Sequence, residues 1–357
     1  MSAAHKDDQV LDLGSEKYSG YHSAILLASA SIVAFAGAAA AEVSFGGDAE
    51  LGYNDNIDDG VYYSVGLTVK ASAELDNGLT ASASLDVDIA EQDAFTGGSV
   101  DTSDYVLTLS GANASLSFGD VAVAADANWA GVTNMEADVF AEAGDNGEDA
   151  VLAGSVTFGA VTAAVSFNVT DPANNTDELD AMQFAVTADL GAVSVVAAYQ
   201  DEDNAGGEVT AVAVSGSFAG ADVTLAFADE ANTETSTGLQ VSYPVGPVTA
   251  TVFFVDNSVS DDNSGIKVAY AEGPLSVTAW YHDGADEDQG IDVSYDLGNG
   301  LNLFAGDSED DGSYVGAEYD LGGGAALLVS YGDDAGNDEI GPKEYKDGTT
   351  VAVSFAF

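Results

Sequence analysis

Apolar and polar residues alternate along the segments that follow residue 41, and this period of two restricts the fold more than any other feature. In Val43–Tyr53, the odd-numbered residues are apolar or small, and the even-numbered ones are polar or glycine. The same rule holds in Val65–Leu75 and in Leu79–Ile89. Because successive side chains of a β-strand point to opposite faces, each segment is predicted to be a strand with one apolar and one polar face.

Short glycine-containing turns recur along the chain, and each is predicted to join two strands. The first, Asp76-Asn77-Gly78, is a strong hairpin signal. The other turns are Gly111–Asn113, Phe158–Ala160, Leu190–Ala192, Ala219–Ala221, Pro244–Pro247, Glu272–Pro274, Leu297–Gly300 and Leu321–Gly324. The connections between them are longer and acidic, as at 201–207, 283–290, 307–312 and 333–339. Nine such turns predict up to about 20 strands.

Tight turns at one end of the strands and long charged loops at the other are typical of a transmembrane β-barrel. We therefore predict an all-β fold, a transmembrane antiparallel β-barrel formed by residues 42–357. A soluble sandwich would carry charges on the exposed face of most strands, but Val209–Phe218 and Val248–Val255 carry none. A β-solenoid is disfavoured because the segments share no fixed sequence register. The last ten residues, GTTVAVSFAF, also alternate and are predicted to be the final strand.

The charge of the chain is strongly one-sided. It has 61 Asp and Glu residues against 6 basic residues, all of them lysines, and a formal net charge of −55. Nucleic acid is excluded as a partner because phosphate binding needs Lys and Arg. Cations are the expected partners. The absence of cysteine excludes disulfides and thiol chemistry and is consistent with an exported protein.

Residues 1–41 resemble a secretory leader. An uncharged run, Ser23–Ala41, ends in alanines before Glu42, and cleavage there would leave residues 42–357 as the mature chain. A single transmembrane helix is the alternative for this run. The preceding stretch is long and acidic where a signal peptide has a short basic start, so we expect a mis-set translation start.

Chemistry-bearing motifs are scarce. Pairs of carboxylates carry no information in a chain with 61 acids. Only His282 of the three histidines lies beyond the leader, and its neighbours Trp280 and Tyr281 favour an interpretation as a membrane-interface residue. No stretch matches an EF-hand calcium loop. We expect no enzymatic activity, no cofactor and no specific metal site, while divalent cations such as calcium neutralise acidic loops and bridge them to lipopolysaccharide.

Several short motifs are shared with a known family: the leader ending AAAAEV, the start EVSFGGDAELGY, SLSFGD at Ser115–Asp120, the SYDLGNG and EYDLGGG hairpins, and terminal Phe357. In these motifs the chain resembles the general, non-specific outer-membrane porins of alphaproteobacteria. The resemblance implies a homotrimeric, water-filled barrel of 16 strands in the bacterial outer membrane, with an outer loop folded into the pore. It also implies that the barrel-assembly machinery reads Phe357. Residues 120–149, the longest gap between predicted strands, fit the inward-folded constriction loop, and an ordinary external loop is the alternative.

The resemblance also indicates which charges to expect at the narrowest part of the pore. Such porins set basic wall residues, often arginines, across from acids of the inward loop. This chain has no arginine and has Glu50 where related sequences tend to carry a basic residue. Alternation and the loop assignment give these pore-lining or constriction residues: Asp48, Glu50, Lys70, Glu74, Asp86, Asp88, Asp120, Asp126, Glu136 and Asp138. We therefore expect passive diffusion of small hydrophilic solutes and ions with a preference for cations. A secreted acidic β-rich adhesin or surface-layer protein is the alternative function.

Overall fold

The structure is a computed structural model. It describes residues 41–57, 60–92, 105–141, 150–169, 179–201, 207–285, 287–309, 312–333, 339–343 and 345–357. The predicted leader lies outside the described residues except for Ala41. Within the described ranges, no helix is long and apolar enough to cross a membrane.

The described chain is almost entirely β-structure, with one short helix, α1 (Ala124–Asn128). The strands are β1 (Glu42–Asn54), β2 (Val61–Glu74), β3 (Thr80–Gln92), β4 (Tyr105–Ser110), β5 (Ala114–Gly119), β6 (Ala150–Phe158), β7 (Val161–Val169), β8 (Leu179–Asp189), β9 (Val193–Asp201), β10 (Val209–Phe218), β11 (Ala221–Glu230), β12 (Glu234–Val245), β13 (Val248–Asn257), β14 (Asn263–Glu272), β15 (Leu275–Asp283), β16 (Gln289–Asp296), β17 (Leu301–Ser308), β18 (Gly312–Gly322), β19 (Ala325–Asp333), β20 (Glu339–Ile340), β21 (Tyr345–Lys346) and β22 (Gly348–Ala356).

Twenty of these strands form one closed antiparallel sheet. Each strand from β1 to β19 pairs with its neighbour in the chain, and β22 pairs with both β19 and β1. The backbones of Gly47 and Phe357 exchange two hydrogen bonds of 2.8 and 2.9 Å at this closure. The short β20–β21 pair lies outside the barrel sheet. Closure leaves no unpaired sheet edge, as a β-barrel in lipid requires.

The two ends of the barrel differ as the sequence predicts. All nine predicted glycine turns join consecutive strands at one end, which we call the turn end. The longer connections lie at the other end, which we call the loop end. The barrel therefore has the 20 strands given by the turn count and not the 16 implied by the resemblance.

Side chains alternate between the outer surface and the lumen. On β1, Phe45, Leu51 and Tyr53 point outward and are 48%, 58% and 50% exposed. Their even-numbered neighbours Gly52 and Asn54 are buried inside the barrel. The exposed side chains of the closing strand β22 follow the same rule. An apolar outer surface around a closed sheet is the arrangement that a membrane-spanning barrel needs.

Candidate functional site

Residues 120–141, between β5 and β6, fold into the lumen. This segment contains α1 and is called the inward loop here. Ala125, Val132 and Ala137 are at most 3% exposed, which is unusual for a loop and shows that it packs against the barrel wall. The inward-folded loop predicted at 120–149 is thus present over its described part, and residues 142–149 lie outside the described residues.

The wall beneath the inward loop is apolar. Alanine, valine and phenylalanine side chains on the lumenal faces of β9, β10, β11 and β13 form one buried apolar cluster with Met135 and Phe140 of the loop. These wall residues are Val196, Ala198, Val209, Ala211, Ala213, Ala226, Ala228, Phe253 and Val255. Under the loop these strands are apolar on both faces, because one face meets the loop and the other forms the outer surface. This packing explains why strands such as β10 carry no charge.

Polar wall side chains fix the inward loop by satisfying its backbone groups. The Ala125 amide donates to Gln183 Oε1 at 2.8 Å, and Gln183 Nε2 donates to the Ala141 carbonyl at 2.7 Å. The Ala141 amide donates to Gln200 Oε1 at 2.8 Å. The Ala137 amide donates to Ser236 Oγ at 3.1 Å. Because buried backbone groups without partners are costly, these contacts favour a single docked position of the loop.

A glycine in the wall makes room for the loop. A Cβ atom at Gly238, on β12, would lie 2.6 Å from the Cβ of Val132. Two carbon atoms do not approach so closely, so any larger residue at this position would push the loop away from the wall. The sequence around Gly238 is therefore suited to a docked loop.

The four predicted acids of the inward loop occupy different environments. Asp120 is exposed at the start of the loop, and its amide donates to the Tyr105 carbonyl at 2.8 Å. Asp126 is half-buried on α1. Glu136 accepts a hydrogen bond of 2.7 Å from Asn263 Nδ2 of β14. Asp138 accepts one of 2.7 Å from Trp129 Nε1 within the loop.

Burial changes the ionisation of Asp138. It raises the pKa of this carboxyl to about 6, although the hydrogen bond from Trp129 opposes the shift. The charge of Asp138 therefore changes between pH 5 and pH 7.

The predicted wall residues lie on three adjacent strands. Asp48 and Glu50 are on β1, Lys70 and Glu74 on β2, and Asp86 and Asp88 on β3. All six are even-numbered residues, and on these three strands the even-numbered side chains point into the lumen. Asp48 and Asp88 both pair with Gly66, so the two carboxylate-bearing positions flank a residue with no side chain. The structure brings Asp48 and Asp88 to the same level of the barrel and leaves Glu74 at the turn end.

Other contacts hold these wall side chains in place. Thr68 donates a side-chain hydrogen bond to Asp86. Tyr62 makes a side-chain hydrogen bond with Glu50. Lys70 lies opposite Ser44 and Ser84 on the neighbouring strands. The wall of β1–β3 is therefore a mostly acidic surface with one lysine.

This acidic wall faces the inward loop across the lumen. In a closed ring of 20 strands, strands ten positions apart lie on opposite sides. The inward loop contacts the stretch from β7 to β14, as its bonds to Ser166 and Asn263 show. Strands β1, β2 and β3 are ten positions from β11, β12 and β13. The docked part of the inward loop and the acidic wall therefore lie on opposite sides of the lumen, whereas Asp120 lies beside Tyr105 of β4, next to that wall.

Several lumenal side chains were missed by sequence reasoning. Lys267 of β14 lies near Asp292 of β16, and Tyr314 donates a hydrogen bond of 2.7 Å to that carboxylate. Alternation beside Ile266 and Val268 could have identified Lys267. Lys343 and Lys346 belong to the last connection, between β19 and β22, and no sequence signal places that connection inside the barrel.

The interpretation of His282 as a membrane-interface residue was wrong. His282 has the lumenal parity of β15, and its ring packs edge-on against that of Phe253 with centroids 5.2 Å apart. Among the residues that the structure describes, no group of three or more His, Cys, Asp or Glu side chains is arranged to hold a metal ion.

Comparison with known families identifies the family to which this barrel belongs. The sequence model of the Gram-negative porin family matches residues 28–339, most of the chain. The chain belongs to the Gram-negative porin family. Members of this family are outer-membrane channels through which small solutes and ions pass passively, so this porin is an outer-membrane protein. The match leaves the adhesin or surface-layer alternative without support.

Solved structures align with the porin at low identity. A triple mutant of the Rhodopseudomonas blastica porin aligns at 19% identity over 88% of this chain and 100% of its own, with a TM-score of 0.39. A loop-deletion mutant of OmpT, an outer membrane protein of Vibrio cholerae, aligns at 14% identity over 89% and 99%, with a TM-score of 0.41. At these scores the alignments add no argument to the family match. No curated protein sequence matches the chain significantly.

Proposed function

We propose that this porin is a diffusive channel that prefers cations and is narrowed by a constriction loop of residues 120–149, of which the inward loop is the described part. The observation that carries the proposal is the opposition of two acidic surfaces across the lumen: the inward loop on one side and the wall of β1–β3 on the other. A small anion in this passage meets carboxylates on both sides, whereas a cation is attracted by both.

The size of the effect follows from simple electrostatics. Two unit charges 4 Å apart interact by about 1 kcal/mol in bulk water and by about 4 kcal/mol at an effective dielectric constant near 20. Several aligned carboxylates would therefore favour cations by more than about tenfold. Salt shortens the range of the attraction to a few Å, so the pore discriminates by charge sign and not by ion identity.

The test is the reversal potential of the purified porin in a planar bilayer across a salt gradient. We expect a potential of the sign that cation preference gives. Replacing the flanking pair, Asp48→Asn with Asp88→Asn, should move it toward zero because two lumenal charges are lost. Asp307→Asn is the matched control, since Asp307 is exposed on the outward parity of β17. An anion preference of the unmodified porin would refute the proposal.

The remaining assignments complete the proposal. The porin is a homotrimer made with a cleaved leader of residues 1–41, and the barrel-assembly machinery recognises Phe357. Its outer acidic loops bind divalent cations such as calcium without a specific site and contact lipopolysaccharide through them. It needs no cofactor and catalyses no reaction. These points are supported by the family membership and by the acidity of the loops.

A further inference from the structure

We propose that the last connection of the barrel is a second constriction element, which brings two lysines to the side of the lumen opposite the inward loop. The element comprises the described residues 339–343 and 345–347, with the strands β20 and β21, and is called the terminal hairpin here. The inference extends the proposed function, because it names a second determinant of pore size and charge preference.

Aromatic packing holds the terminal hairpin inside the barrel. Ile340 and Tyr345 are each 1% exposed and form a cluster with Tyr314 of β18, with Phe304 of β17 and Leu328 of β19 packed against it. The rings of Tyr345 and Tyr314 have centroids 5.1 Å apart. All three wall residues have the lumenal parity of their strands. Such burial of apolar side chains places the hairpin in the lumen and not above the loop end.

Wall glycines leave space for the hairpin, as Gly238 does for the inward loop. A Cβ atom at Gly316 would lie 2.8 Å from the Tyr345 ring, and one at Gly332 would lie 2.7 Å from Ile340 Cδ1. On the other side, Asn54 Nδ2 of β1 donates a hydrogen bond of 2.8 Å to the Asp347 carbonyl. The hairpin is therefore attached to strands on both sides of β22.

The hairpin carries both of its lysines next to lumenal side chains. Lys343 Nζ lies 3.3 Å from Glu318 Oε2 and 5.3 Å from the centroid of the Phe304 ring. Lys346 Nζ lies 5.4 Å from the centroid of the Tyr62 ring on β2. The Tyr62 side chain in turn makes a hydrogen bond with Glu50. Two of the four lysines that follow the leader thus reach the passage from a loop.

The positions of the two inserted elements define the narrow passage. The terminal hairpin lies against β17–β19 and β2, centred near β22, whereas the inward loop lies against β7–β14. In the ring of 20 strands, β22 and β10 are diametrically opposed. Both elements dock near the loop end. Tyr62 and Gly332, which contact the terminal hairpin, are each one residue from the loop end of their strands. Gln200, which bonds to the inward loop, is also one residue from the loop end of its strand. Solutes would therefore pass between the inward loop and a hairpin that carries two lysines among its acidic residues.

A cysteine at Lys343 tests the location of the hairpin. The chain contains no cysteine, so Lys343→Cys offers a single thiol to a charged methanethiosulfonate reagent. We expect the reagent to lower single-channel conductance in steps as each subunit reacts, because it adds bulk to the passage. The control is Val259→Cys in the loop between β13 and β14, which is 76% exposed and should react in water without changing the current. Complete modification at residue 343, shown by mass spectrometry, with unchanged conductance would overturn the proposal.

Two further variants separate size from charge. Ile340→Ser with Tyr345→Ser removes the apolar anchors, so the hairpin should leave the lumen and conductance should rise. Lys343→Gln with Lys346→Gln keeps the size and should shift the reversal potential toward stronger cation preference. Heat-dependent gel mobility shows that each variant is folded. No change in either quantity would overturn the second constriction.

The outcomes distinguish this inference from the proposed function. An unmodified porin that prefers anions would refute the proposed charge preference, while a current block at Lys343→Cys would still support the terminal hairpin. If the porin prefers cations but none of the three hairpin changes alters its conductance or selectivity, the proposed function is supported and the second constriction is refuted. A chain without conductance would refute both.

Discussion

At the scale of single residues, Asp138 couples the inward loop to pH. Burial holds its pKa near 6, well above the ordinary value for aspartate. A raised acid pKa means that the folded state binds the proton more tightly than the unfolded chain does. Packing of the loop is therefore stabilised as pH falls from about 6 toward about 4, and this gain is lost as pH rises through 6.

The same titration predicts a change in selectivity. At pH 7 the ionised form of Asp138 exceeds the protonated form about tenfold, and at pH 5 this ratio is reversed. Each pH unit away from the pKa changes the ratio tenfold. We expect cation preference, measured by reversal potential, to weaken over this interval with a midpoint near pH 6. Asp138→Asn keeps an acceptor for Trp129 and should remove the step. A step of equal size in that variant would show that another group titrates.

At the scale of elements, each inserted segment depends on the strands beneath it. The inward loop rests on alanines and valines of β9–β11 and on Gly238, and the terminal hairpin rests on Gly316 and Gly332. Small wall residues are needed because an inserted backbone must approach the sheet closely. The walls and the loops have complementary shapes.

A pair of glycine substitutions tests this complementarity. Gly238→Ala would bring a methyl group to 2.6 Å from Val132 Cβ, and relief requires movement of the loop. We expect a cost of about 1–3 kcal/mol in docking, seen as larger single-channel fluctuations and faster proteolysis within 120–141. Gly154→Ala is the matched control, because its nearest neighbour would lie 3.6 Å away. Equal behaviour of the two variants would contradict tight docking.

At the scale of the whole molecule, the barrel is closed by its own ends. The Phe357 backbone exchanges hydrogen bonds with Gly47, while its ring is exposed on the outer surface, with 60% of the residue accessible. Other exposed aromatics, including Phe158 and Phe218, also lie at the turn end. This ring of aromatics is typical of barrels at a membrane interface.

Substitution of Phe357 separates its proposed signalling role from its place in this ring. Phe357→Ala preserves the backbone closure, so we expect a folded barrel in refolding experiments but less heat-modifiable porin in the outer membrane of cells. Phe218→Ala removes an aromatic side chain that is even more exposed, at 79%, and should not reduce the amount. If both changes lower assembly equally, Phe357 acts only as an interface residue.

Much of the fold was predictable because its signals are local. Alternation in β1–β3 identified the lumenal acids such as Asp48 and Asp88, and glycine turns such as Asp76-Asn77-Gly78 gave the strand number. These signals depend only on the two faces of a strand and on backbone conformation at a turn. The resemblance was right about the family and wrong about 16 strands, since strand number follows from the turns that this chain contains.

The sequence by itself determined an antiparallel barrel of about 20 strands with an apolar exterior, because alternation and turn chemistry act within a few residues. Only the tertiary structure decided which lumenal faces are covered and where Lys343 and Lys346 lie. Those placements depend on contacts between segments more than a hundred residues apart in some cases, such as Asn263 with Asn134. No local period records such a contact, so the docking of a loop inside a barrel appears only when the sheet is closed.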